Sequence, residues 1–247
     1  MEKASSLPCP PTLDDLMVEC AVSLFLDFDG TLVGIAPEPG AINVPPTLPN
    51  ALLSLRDRMG GRLALITGRA LDDLASHLGD VAVCRAGSHG ASRLLPDGSR
   101  LGDEPSALTD ECIEDMRSYA DLHDLYYETK AHGGALHFRA RPERQEDTLA
   151  FARGLAERYE LEVTSGKGVA ELVRPGANKG GAVKAFMGQE PFAGSVPIFI
   201  GDDTTDEDGM KAAIECGGFG IAVGERTSEA ARYHLEDVAA VHNWLNI

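Results

Sequence analysis

Basic residues are scarce in this chain. Of 247 residues, 22 are Lys or Arg and 39 are Asp or Glu, a formal net charge of −17. A nucleic-acid binder needs the opposite balance, because a phosphate backbone is held by an excess of cations. The same acidity would repel an anionic small molecule unless positive charge is gathered locally. Long apolar runs are missing too, and none approaches the roughly 20 residues of a membrane span. The opening segment MEKASSLPCPPTLDDLMVEC has no basic stretch leading into an apolar one, and Asp14, Asp15 and Glu19 count against a signal peptide. Paired cysteines are absent as well. The five thiols, Cys9, Cys20, Cys84, Cys112 and Cys216, are odd in number and contain no CxxC pair. They suit neither a disulfide framework nor a zinc site, so reduced cysteines and a cytoplasmic location are expected, with Cys84 and Cys216 as small buried hydrophobes. No internal repeat or low-complexity segment is found.

What remains is the mix of a soluble globular enzyme, 43% hydrophobic and 25% charged. Apolar strands predicted at 21–28, 62–66, 81–86, 197–200 and 219–223 alternate with helical spacings at 48–59, 71–78, 179–187, 206–214 and 238–245. That alternation predicts an α/β core, a parallel sheet with crossover helices. The middle of the chain reads differently. A hairpin is predicted around Pro96-Asp97-Gly98, two amphipathic helices over 106–123 and 143–158, and strands at 126–129, 135–140, 161–164 and 170–173. An α+β unit covering 92–175 is therefore expected as an insertion into a discontinuous core of 1–91 and 176–247.

The chemistry concentrates at strand ends. In LFLDFDGTLV (24–33) an apolar strand runs into Asp27 and Asp29, and the carboxyl ends of parallel strands are where ligands bind in open sheets. Two carboxylates one residue apart at a buried edge need a cation or protons. Gly30 allows a tight turn and Thr31 can bond it.

This DFDGT segment resembles the nucleophile motif of the haloacid dehalogenase-like (HAD) phosphohydrolases. LITGR (65–69) is similar to their second motif, Lys179 at a helix start to their lysine, and GDDTTDEDGM (201–210) to their acidic metal motif. The resemblance implies a carboxylate nucleophile that splits phosphate-monoester hydrolysis into two easier steps. It makes Asp27 the nucleophile and Asp29 the general acid and base. It also implies Mg²⁺, held by the Asp27 carboxylate, the Asp29 carbonyl and Asp202, with Asp203 and Asp206 supporting from behind. Thr67 and the amides near Gly30 and Gly68 would bind phosphoryl oxygens, and Lys179 would neutralise them. Arg69 stays open between a salt bridge beside the site and a substrate contact.

The insertion and the loop before it carry further groups: Gly87-Ser88-His89-Gly90, then Glu128 and Lys130 with His137 and Arg139, then Gly166-Lys167 and Glu171 with Arg174-Pro175. Glu128 and Lys130 are two apart in a predicted strand and share a face, as do His137 and Arg139. A carboxylate suits vicinal sugar hydroxyls, and a lysine reaches hydroxyls or phosphate. Glu128 and Lys130 could equally be a cross-strand surface pair, and His137 and Arg139 could simply satisfy their own sheet. Together these groups resemble the trehalose-6-phosphate phosphatases. That resemblance implies Mg²⁺-dependent hydrolysis of trehalose 6-phosphate, with Glu128, Lys130, Lys167 and Glu171 on the glucose ring remote from the phosphate and His89 where core and insertion meet. It implies a small-molecule substrate and a functional link to trehalose-6-phosphate synthase; a monomer is expected, though no residue pattern specifies the oligomeric state. Two alternatives stand beside it. One is another sugar phosphatase of the same superfamily, acting on sucrose, mannosylglycerate or hexose phosphates. The other is an inactive regulatory domain, which intact Asp27, Asp29, Lys179 and Asp202 count against.

Overall fold

Val22–Leu26 is buried along its whole length, as expected of a strand covered on both faces. In this computed structural model it is β1. The structure describes residues 7–35, 42–103, 106–130, 132–166 and 168–247. The chain divides into two units, Met1–Asp103 with Lys179–Ile247, and Glu104–Asn178.

The first unit is built on a seven-stranded sheet. Its strands are β1, β2 (Leu63–Ile66), β3 (Cys84–Gly87), β4 (Ser92–Leu94), β9 (Val196–Gly201), β10 (Phe219–Val223) and β11 (Ala231–Leu235). Their order is β11-β10-β9-β1-β2-β3-β4. All neighbours are parallel except β3 and β4, which run antiparallel. The chain builds away from β1 in one direction through β2 and β3, and away from β9 in the other through β10 and β11. β1 and β9 therefore flank a switch point, the crevice where such sheets bind ligands.

Side-chain alternation along β1 sorts the packing. Leu24 and Leu26 join a core cluster with Leu52 and Leu55 of α2 (Leu48–Arg58), Leu74 of α3 (Leu71–Leu78) and Val241 of α8 (Val238–Leu245). Phe25 turns the other way, to Phe186 of α6 (Lys179–Met187) and Met210 of α7 (Asp206–Glu215). Helices thus cover both faces, as a mostly parallel sheet requires.

Two elements of this unit were not predicted, the short α1 (Leu13–Glu19) and the edge strand β11. The turn at Pro96-Asp97-Gly98 forms, with Leu95 and Ser99 bonded across it. Its first strand pairs with β3, however, through Ala86↔Arg93 and Gly87↔Ser92. That pairing keeps Ser92–Asp103 with the first unit, so the units change over at 103/104 and 178/179 rather than at the expected 91/92 and 175/176.

The second unit is a four-stranded antiparallel sheet in the order β5-β6-β8-β7. Its strands are β5 (Tyr126–Lys130), β6 (Gly133–His137), β7 (Glu162–Gly166) and β8 (Val169–Val173), with α4 (Asp110–His123) before β5 and α5 (Gln145–Tyr159) between β6 and β7. Leu136, Ala170 and Leu172 pack with Met116 and Ala120 of α4 and Ala152 and Leu155 of α5. Both helices therefore cover one face of the sheet. No described helix is long and apolar enough to cross a membrane.

Candidate active site

Asp27 follows β1 directly, and its N–H donates to Ile200 O of β9 at 3.0 Å. This bond continues the ladder and locks Asp27 at the switch point, 4% exposed. Asp202, directly after β9, and Asp206, opening α7, bring carboxylate oxygens together with Asp27 within 4.8 Å of one another. Lys179 joins them from the start of α6. Its Nζ donates to Asp27 Oδ1 at 2.7 Å and to Asp206 Oδ1 at 2.6 Å, and it is only 3% exposed. Asp206 also accepts the Asp203 N–H at 2.8 Å, so the loop after β9 is tied to the helix that follows it.

Charges confined this tightly shift one another. Burial pushes the Asp27 carboxyl well above the usual carboxylate range, and the Asp206 and Asp202 charges push it further, against the opposing pull of Lys179. Burial would depress the Lys179 ammonium, but Asp206 and Asp27 outweigh it and hold the proton on nitrogen. Lys179 thus stays charged, and Asp27 is the group pushed towards its neutral form. Three converging carboxylates with all-oxygen donors suit a hard divalent cation. The backbone makes room for them. Gly30 has φ +83°, and a Cβ there would lie 2.3 Å from the Asp202 carboxyl. At Gly201 a Cβ would lie 2.2 Å from Asp206. This acidic group could hold a metal ion.

Asp29 is not among those three. Its carboxylate accepts two bonds from Arg69, from Nε at 2.5 Å and Nη2 at 2.7 Å. Arg69 also binds Asp73 at 2.7 Å. The Asp29 bond is the main reason the guanidinium is held so firmly charged. Of the two roles left open for Arg69, the structure shows the salt bridge.

Thr67 is buried after β2, its Oγ1 accepting the Arg69 N–H at 3.1 Å. The loop is stitched to the turn at Ser88–Gly90, with His89 N–H donating to Thr67 O and Ser88 N–H to Arg69 O. Ser88 and His89 have φ of 50° and 56°, a left-handed conformation that side-chain-bearing residues adopt only when neighbours enforce it. The His89 ring lies over Gly68, where a Cβ would come within 2.6 Å of it. The structure therefore gathers Asp27, Asp29, Thr67, Gly68, Arg69, His89, Lys179, Asp202, Asp203 and Asp206 in the first unit.

The second unit holds its own cluster. Strand register places Glu128 opposite Ala135, Ala135 opposite Glu171, and Glu171 opposite Thr164. These four side chains form one row on the sheet face away from α4 and α5. Lys130 reaches across the small residues of β6 to Glu171 at 2.7 Å, and His137 lies 2.8 Å from Glu128. Glu128 and Lys130 do share a face, but each pairs with a different strand. Arg139 lies just past β6, and a Cβ at Gly168 would meet it at 2.7 Å. Gly166 ends β7, and the expected contribution of Lys167 lies outside the described residues.

One residue of the first-unit site gave no local signal. Arg226, between β10 and β11, donates to Asp202 O and Asp203 O, each at 3.0 Å, and to Glu207 Oε1 at 2.7 Å. Its partners are some twenty residues away in sequence, so only the folded loops reveal it.

A family model described as Trehalose-phosphatase matches residues 25–238. A Sinorhizobium fredii protein named "Probable trehalose-phosphate phosphatase" is 40% identical over 82% of this chain and 77% of its own length. The Escherichia coli protein named "Trehalose-6-phosphate phosphatase" is 31% identical over 90% of this chain and 85% of its own. Among solved structures, the C-terminal domain of the Candida albicans trehalose-6-phosphate phosphatase matches 99% of this chain and 100% of that one, with a TM-score of 0.79 at 21% identity. The Candida albicans trehalose synthase regulatory protein C-terminal domain also matches, with a TM-score of 0.70 at 13% identity. At those identities both show the fold alone.

Proposed function

The chain belongs to the trehalose-phosphatase family, within the HAD superfamily, and on that premise we propose its reaction: Mg²⁺-dependent hydrolysis of trehalose 6-phosphate to trehalose and phosphate. It is a phosphoric monoester hydrolase acting on a small sugar phosphate. The observation that carries the mechanism is the buried Lys179 bridging Asp27 and Asp206 beside Asp202.

Asp27 is the proposed nucleophile. Its Oδ attacks phosphorus, the bond from phosphorus to the sugar oxygen breaks, and the phosphoryl group passes to Asp27. Asp29 gives its proton to the departing sugar oxygen, then takes one from the water that cleaves the aspartyl-phosphate. Both Asp29 oxygens are engaged by Arg69 here, so Arg69 must release one of them for that proton to be carried. Lys179 and the amides around Gly30 and Gly68, with the Thr67 hydroxyl, receive the phosphoryl oxygens. Asp27, Asp202 and the Asp29 carbonyl are the proposed cation ligands, with Asp203 and Asp206 fixing them. Bound Mg²⁺ would supply the positive charge that lets two anions meet. Its charge would also oppose the push of Asp206 and Asp202 on Asp27, keeping the nucleophile ionised.

The inserted unit is the proposed sugar-recognising part. Glu128, Lys130 and Glu171 lie on one sheet face over a floor of small side chains. With His137, Arg139 and Lys167 added, the proposed sugar-facing group is locally cationic, which answers the net charge of −17. A cytoplasmic location and a functional link to trehalose-6-phosphate synthase belong to the same proposal.

The regulatory-domain reading is tested against the enzyme reading by phosphate release from trehalose 6-phosphate, with and without EDTA, for the parent and Asp27→Asn. Turnover should vanish in EDTA and fall by about 10⁴-fold or more in the variant, with the thermal midpoint retained. Retained turnover in Asp27→Asn would sink the mechanism.

A further inference from the structure

We infer that Arg226 is a positioning residue for the cation site, clamping the loop that presents Asp202 and Asp203. The inference rests on the proposed site but assigns a role to a residue outside its motifs.

Asp202 and Asp203 follow the last residue of β9, Gly201, where the sheet no longer supplies partners for their carbonyls. Arg226 supplies them, alongside the Asp206 N–H, which also donates to Asp203 O at 3.1 Å. One guanidinium donates to both carbonyls, from Nε to Asp202 and from Nη2 to Asp203. The same Nη2 also reaches Glu207 Oε1. A planar fork can satisfy several acceptors at once, which an ammonium on a flexible stem cannot do in fixed geometry. Glu207 holds the fork from below. It is 9% exposed, and its other oxygen accepts the Ala230 N–H at 2.9 Å. Glu207 thus ties both Arg226 and Ala230 to the start of α7.

Asp202 is therefore confined from two directions. Its carboxyl faces Gly30, where even a methyl group would collide, and its carbonyl is held by Arg226. Neither contact puts Arg226 on the cation or the substrate. Its effect is on the geometry and cost of assembling the carboxylates, the kind of support whose loss typically weakens metal binding by about 10–100-fold.

The test is direct titration of the metal-free full chain with Mn²⁺, following loss of the free Mn²⁺ EPR signal without substrate. Arg226→Leu should raise the Kd by about 10–100-fold. Arg226→Lys keeps the charge beside Glu207 but not the fork, so it should recover only a minor part of the loss. High Mg²⁺ should restore kcat of Arg226→Leu, a recovery that a distorted fold would not show. Arg226→Lys carries the test if Arg226→Leu lowers the thermal midpoint. A Kd within about two-fold of the parent in both variants would overturn the role of Arg226 alone. A parent chain that binds no Mn²⁺ would overturn the cation site itself.

Discussion

Replacing Lys179 by Met removes one charge from a site closed to water and nearly preserves volume. Lys179 makes two charge-assisted bonds, at 2.7 and 2.6 Å, and its side chain is 3% exposed, against 6% and 0% for those of Asp27 and Asp206. Each such bond is worth about 1.5–3 kcal/mol net. Breaking a buried ion pair costs about 3–5 kcal/mol, because it strands the partner charge. Both routes put the loss near 3–5 kcal/mol above neutral pH without metal. The pH dependence follows from the two shifts. Lys179 has a raised folded pKa, so its contribution is complete below its unfolded pKa and constant between pH 5 and 8. Asp27 also has a raised folded pKa, so its share of stability is present at acid pH and lost as pH rises through the folded value. Without Lys179 the main opposition to that rise is gone, leaving the Thr31 hydroxyl at 3.4 Å, and the variant should recover on acidification as Asp27 takes up a proton. Urea denaturation in EDTA at pH 8 and pH 5.5 measures this. The difference between parent and variant should shrink by at least about 1 kcal/mol at the lower pH, less than one pKa unit's worth. A penalty below about 1 kcal/mol at pH 8, or one that grows on acidification, would refute the reasoning.

Gly30→Ala should destabilise the fold by about 1–3 kcal/mol in thermal or urea melts, since it strains a residue at φ +83°. Its methyl would also overlap the Asp202 carboxyl, so Mn²⁺ affinity should fall with it. Lys130→Ala should raise KM for trehalose 6-phosphate by about 10-fold or more while leaving turnover of a small aryl phosphate unchanged, because it would remove a cation proposed to face the sugar and not the chemistry.

The parts of the fold legible in sequence are those whose burial is continuous or periodic. Val22–Leu26 is apolar at every position but Ser23 and is followed by Asp27-Phe28-Asp29, so strand, strand end and acidic loop can all be placed. β11 was missed because ARYHL is an edge strand buried only at its last residue, which leaves little apolar pattern to read. α1 is a seven-residue helix with one buried side chain, too short for a periodicity. Ser92–Leu94 read as part of the insertion because a hairpin's turn is local, while its pairing with β3 is not. The same division runs through the site. Asp27, Lys179 and Asp202 stand at strand ends and helix starts that the pattern locates. The Lys130–Glu171 and Arg69–Asp29 pairs lie 41 and 40 residues apart, and the Arg226 clamp joins two loops. Those contacts depend on register and loop path, which no local pattern encodes.

Substrate choice tests the account most directly. Phosphate release should be measured with saturating Mg²⁺ on trehalose 6-phosphate, glucose 6-phosphate and sucrose 6-phosphate. A site built to hydrogen-bond a remote glucose ring should favour trehalose 6-phosphate in kcat/KM by at least about 100-fold. Comparable values for all three, or preference for either competitor, would contradict it.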